Sequence, residues 1–210
     1  MRLLSAQEAN EHLSSHGMEL GDWNEIRDVG GRERDASQVR QLHAQDYDLL
    51  NLCHHLVAWL PRGDWKLFQA DHSTGWLDPV QMSWISGLVY GGEGIRDLND
   101  RQNLGFLFVC DSRDPLATAN KDLVVANLMY VFLLFNLHAY VVSSDSRNGE
   151  MVGLHDGVVY LSSRSGAMVG ADAMIDRLAR QPSARPKWIL DLIATHQEQT
   201  LVRRRSDTTQ

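Results

Sequence analysis

Twenty consecutive residues, Leu123 to Val142, carry no Asp, Glu, Lys or Arg. Two turn dipeptides, Asn148-Gly149 and Asp156-Gly157, follow soon after, set among short apolar runs. An uncharged run of this length is either a membrane span or an element covered on all sides by other structure. Asn127, Asn136 and His138 interrupt it, and Lys121 and Asp122 abut one end. Its second half also changes towards an alternating pattern. Residues 122–164 therefore read as a core helix feeding a three-stranded antiparallel meander, with no membrane insertion.

Asn-Gly and Asp-Gly favour two-residue type I′ turns, because both central positions need positive φ. A tip at Asn148-Gly149 pairs Arg147 with Glu150, and a tip at Asp156-Gly157 pairs His155 with Val158. Counting back from these tips sorts the side chains onto two faces. Val141, Val152, Leu154, Val159 and Leu161 form an apolar face that must be core. Tyr140, Ser144, Met151, Gly153, His155, Tyr160 and Ser162 form a mixed face, which reads as solvent-facing or as a docking surface.

The remaining chain supplies helices and strands to pack around this unit. Ser5-Ala6-Gln7-Glu8 fits a capping box, so a first helix is expected over 6–15, stopping at Gly17. Between Ser37 and Leu60 apolar residues recur at helical spacing, predicting an amphipathic helix ended by Pro61-Arg62-Gly63. Residues 64–71 alternate as a half-buried strand, and 104–110 form a continuous apolar run of strand length. Asp78-Pro79 resembles a helix start. Further helices are predicted over 172–180 and 187–202, separated by Pro182 and Pro186, with a polar, basic tail at 203–210. The chain is expected to be a single α+β domain over 1–202: a largely antiparallel sheet of about five strands, including the C-terminal meander, with helices packed on it.

Charge is unevenly distributed. Residues 1–115 hold 18 acidic and 10 basic side chains, a balance of −8, within a total of −7. Nucleic acid is excluded as the main ligand, since phosphate binding needs a basic surface. A basic protein partner suits the asymmetry better. The two cysteines, Cys53 and Cys110, lie far apart inside apolar segments, as in a cytoplasmic protein with buried thiols. The first five residues contain too short an apolar run for a signal peptide.

Chemistry-bearing motifs are few. Gly91, Gly92 and Gly94 lack the spacing of either phosphate-binding glycine motif, and no zinc-ligand spacing or nucleophile elbow occurs. No metal and no cofactor are expected. Adjacent His54 and His55 point about 100° apart on a helix and do not chelate. The best catalytic reading places Asp71, His72 and Cys110 together, on condition that the strands they follow are parallel neighbours. Against it, Cys110 ends an apolar run and reads equally as a small buried hydrophobe. The leading expectation is a bacterial, cytoplasmic protein-binding module, an immunity-type inhibitor that neutralises a basic toxin or nuclease. Its candidate contacts are Asp71, Trp76 and Asp78 on one loop and Tyr140, His155 and Tyr160 on the mixed meander face. The alternative is a small hydrolase or transferase using Asp71, His72 and Cys110.

Overall fold

A computed structural model of the chain describes residues 2–30, 34, 36–70, 105–110, 114–164, 170–182, 184–191 and 194. Among them, seven strands form one antiparallel sheet in the order β1-β6-β5-β7-β8-β9-β4. These are β1 (Arg2–Leu4), β4 (Val39–His43), β5 (Trp65–Ala70), β6 (Gly105–Val109), β7 (Ala139–Ser143), β8 (Met151–His155) and β9 (Val158–Ser162). A small hairpin-like sheet pairs β2 (Met18–Leu20) with β3 (Ile26–Asp28). The α+β class is as the sequence implies, with more strands than the five expected.

One face of the large sheet carries α2 (Leu49–Trp59) and α3 (Pro115–Leu134). Phe68, Phe106, Val141, Val152, Leu154, Val159 and Leu161 meet Leu52, Leu56, Val125, Met129 and Phe132 there. The other face is covered near β1, β6 and β5 by α1 (Ala6–Ser14) and the small sheet. Leu67, Leu107 and Val142 pack on Ala9, Leu13, Met18 and Ile26 in this second core.

Local chemistry sets the helix ends. Ser5 Oγ accepts from the Glu8 amide while the Glu8 carboxylate accepts from the Ser5 amide, the reciprocal capping box. The backbone and hydroxyl hydrogen bonds from Ser5 hold the Glu8 carboxyl below its ordinary pKa. Asp114 caps α3 by accepting from the Leu116 and Ala117 amides, with Pro115 at the first helical position. The C-terminal end of α3 closes with Asn136 at φ 55°, the Asn136 amide donating to Leu133 O and the Leu137 amide to Phe132 O. That is a Schellman closure in which Asn replaces the usual Gly. Arg185 Nη2 also donates to Leu133 O at 2.7 Å. No helix among the described residues is long and apolar enough to cross a membrane.

Two sequence expectations are corrected. The helix foreseen over 37–60 begins at Leu49, because Asp48 caps it by accepting from the Asn51 amide. Val39–His43 is instead strand β4, antiparallel to β9, with Leu42 opposite Val159 in the core. Val39 and Leu42 fit helical spacing by coincidence, and tertiary pairing overrides it.

The β7–β8 register also differs from the tight-turn count. Val142 faces Met151 across the ladder, where a tip at Asn148-Gly149 would place it opposite His155. Gly149 has φ 67°, but Asn148 does not share the left-handed region that a type I′ turn requires. The connection is a longer loop, closed by Ser146 Oγ accepting from the Ser143 amide and by the Gly149 amide donating to Ser146 O. The β8–β9 tip agrees with the sequence reading. Asp156 at φ 49° and Gly157 at φ 76° make the type I′ turn, and His155 pairs with Val158.

Candidate functional site

The mixed face of the meander is concave, and its floor is a glycine. Tyr140 on β7 lies opposite Gly153 on β8, which lies opposite Tyr160 on β9. With strands about 4.8 Å apart, the two tyrosine Cα atoms stand roughly 10 Å apart with no side chain between them. Met151 and His155 occupy the same face of β8, two residues to either side of Gly153. Together with Leu154, these residues line a cavity of about 290 Å³. That lies just below the roughly 300–1,000 Å³ typical of small-molecule pockets. It suits one side chain or a small polar headgroup.

A β-carbon built on Gly153 would sit 3.5 Å from Tyr140 Cδ1 and 3.6 Å from Tyr160 Cβ. Those are ordinary contact distances, so the glycine is not forced on the backbone by crowding. With no side chain at Gly153, the Tyr140 ring leans over it, its Cδ1 and Cε1 both 3.5 Å from where a β-carbon would stand.

A cluster of polar groups closes one end. The register that pairs Ala139 with Leu154 sets His138 beside His155, and their rings stack at 3.8 Å with a 22° interplanar angle. His138 Nε2 lies 3.0 Å from Asp156 Oδ1, and His155 Nδ1 lies 3.3 Å from Asp156 Oδ2. His138 is buried, whereas His155 and Asp156 are exposed. The Schellman closure after α3 presents His138, and the left-handed Asp156 turns its carboxylate back onto one nitrogen of each ring.

Of the residues named from sequence, Tyr140, His155 and Tyr160 are brought together around the cavity. Asp71, His72, Trp76 and Asp78 lie outside the described residues. The condition for an Asp71/His72/Cys110 site fails, because β5 and β6 are antiparallel and Trp65 pairs with Val109. Cys110 therefore sits at the beginning of β5, about 17 Å of strand from Ala70 at its far end. Cys110 is buried, and burial raises its thiol pKa, opposed in part by the nearby Lys66. Cys53 is buried as well, and desolvation pushes its thiol up further.

His138 and Asp156 were not singled out in the sequence. Their signal was available in principle, since His138 shares the parity of Tyr140 and Asp156 begins a recognised turn. The tight-turn count concealed it by setting Val142, four residues further on, opposite His155. Comparison of the chain with family models, with curated proteins and with solved structures finds no match.

Proposed function

We propose that this chain is a protein-binding module of the immunity type, which neutralises a basic toxin or nuclease by covering it. In this reading the cavity over Gly153 receives a basic side chain of the partner. The observation that carries it is the cavity itself, walled by Tyr140 and Tyr160 and floored by Gly153. A guanidinium or ammonium group between tyrosine faces gains cation–π attraction, and an arginine plane stacks on a ring as well. Tyrosine gives large contact area at low entropic cost, which makes it a frequent anchor of interfaces. The chain's charge of −7 favours encounter with a partner of opposite sign. The reading takes the protein to act in the bacterial cytoplasm.

The test is co-expression with the product of the adjacent gene, followed by affinity measurement at low and high salt. A complex that weakens with salt is expected. Tyr160→Ala and Tyr140→Ala should each weaken it by about thirtyfold, the effect of losing a hot spot of about 2 kcal/mol. Absence of a complex at low salt would sink the inhibitor reading. A complex untouched by both substitutions would remove the cavity from it.

A further inference from the structure

We propose that His138, His155 and Asp156 form a binding site for a divalent transition-metal ion of the zinc class. Three parts of the fold converge to build it: the connection leaving α3, the end of β8 and the first residue of the β8–β9 turn. One potential ligand atom from each residue lies within 4.8 Å of the others. Ligands about 2.0–2.2 Å from a tetrahedral ion are separated from one another by about 3.3 Å. Asp156 reaches both imidazoles with its two oxygens, Oδ1 standing 3.0 Å from His138 Nε2 and Oδ2 3.3 Å from His155 Nδ1, so small side-chain rotations suffice to bring the three donors to that spacing.

The donor set selects the class of ion. Two imidazoles and one carboxylate suit zinc, cobalt, nickel or copper. Calcium and magnesium call for shells dominated by oxygen and are disfavoured. His138 would bind through Nε2 and His155 through Nδ1, with the Asp156 carboxylate supplying negative charge. Water can complete the shell, because Asp156 and His155 are exposed. Asn136 Oδ1 adds a buried oxygen with no hydrogen-bond partner among the described residues, and it faces Gly157 in the same turn. The nearby guanidinium of Arg185 donates to Leu133 O.

An ion held here would tie the start of β7 to the tip of the β8–β9 hairpin. Because His155 also lines the cavity, the ion would rigidify one of its walls. The site stands on its own geometry and does not depend on the identity of a protein partner.

The test uses the full chain, stripped with a chelator and titrated separately with ZnCl₂ and CoCl₂. Expected results are one ion per chain, a cobalt absorption spectrum of low-coordinate nitrogen and oxygen ligation, and shifts in the side-chain nitrogen resonances of two of the nine histidines. Asp156→Asn is the decisive variant. It leaves an Asn-Gly dipeptide, which favours the same type I′ turn, and removes the charged ligand. Both Asp156→Asn and the exposed-site variant His155→Gln should weaken zinc by at least about tenfold, the cost recorded even for outer-shell partners. The zinc-induced rise in thermal midpoint should shrink in both. Failure of the wild-type chain to bind zinc, or wild-type affinity retained by folded Asp156→Asn and His155→Gln, would overturn the proposal.

Discussion

Arg34 holds Asp28 through two parallel hydrogen bonds, Nε to Oδ2 and Nη2 to Oδ1, each 3.0 Å long. Arg164 Nε adds a third to Oδ1 at 2.6 Å, and Arg34 Nη1 reaches on to Gly149 O and Ser162 Oγ, both at 2.7 Å. The cluster fastens the small β2–β3 sheet to the β7–β8 loop and the C-terminal end of β9 in the large one. Burial by itself would raise the Asp28 carboxyl, but the two guanidinium groups outweigh it and hold the pKa below its ordinary value.

That direction fixes a pH dependence. A carboxyl whose folded pKa is depressed contributes stability that is present above the unfolded value, near 3.9, and is lost as pH falls through the folded value. Asp28→Asn should therefore lower stability at neutral pH and flatten the decline below about pH 4. The neutral-pH loss is expected at about 2–3 kcal/mol. That is less than the ~3–5 kcal/mol of a fully buried pair, since Arg164 remains a third exposed. Urea midpoints measured from pH 7 to pH 3 check both outcomes, and a parallel shift at every pH would contradict the assignment.

Lys66 and Asp122 predict an asymmetry. Lys66 Nζ donates to Asp122 at 2.7 Å, with the lysine side chain 2 % exposed and the aspartate 33 % exposed. Asp122→Ala strands a buried ammonium and should cost about 3 kcal/mol. Lys66→Met leaves a carboxylate that water can reach and fills similar volume, so its cost should stay below about 1.5 kcal/mol. Denaturant unfolding of the two single variants decides it; equal losses would mean that the desolvation argument is wrong.

Gly153 separates stability from recognition. The contact distances around an added β-carbon leave room for alanine, and a strand glycine costs roughly 0.5–1 kcal/mol relative to it. Gly153→Ala should keep or slightly raise the thermal midpoint. It should also weaken partner binding by narrowing the gap between Tyr140 and Tyr160. A calorimetric scan and a binding isotherm on the same preparation test the two halves independently.

The thiols should be inert in the folded chain. Cys53 and Cys110 are buried and form no disulfide, and burial raises both pKa values. An aromatic disulfide reagent at pH 8 should label neither within the time that it labels both in denaturant. Rapid labelling of Cys110 under native conditions would reopen a nucleophilic role for it.

Much of the meander was legible because parity survives an error in register. Moving the β7–β8 pairing by four residues leaves every side chain on its own face, since the strand repeat is two. Val141, Val152 and Leu154 were thus assignable to the core, and Tyr140, His155 and Tyr160 to the opposite face, from alternation alone. The capping box at Ser5 and the Asp156-Gly157 turn were equally readable, because each depends on neighbours within four residues.

What alternation could not supply is which residues stand beside one another across strands. His138 meets His155 only because Asn148 declines the left-handed conformation and the β7–β8 loop lengthens. Cys110 is parted from Ala70, at the far end of β5, only because β5 and β6 run antiparallel. Val39–His43 becomes a strand only because β9 offers an edge to pair with. Local sequence determined the faces, the caps and the tight β8–β9 turn, whose energetics are decided within a few residues. Tertiary structure decided the register, the strand directions and the glycine-floored cavity, because long-range backbone pairing and core burial outweigh local preferences of about 1 kcal/mol or less per residue.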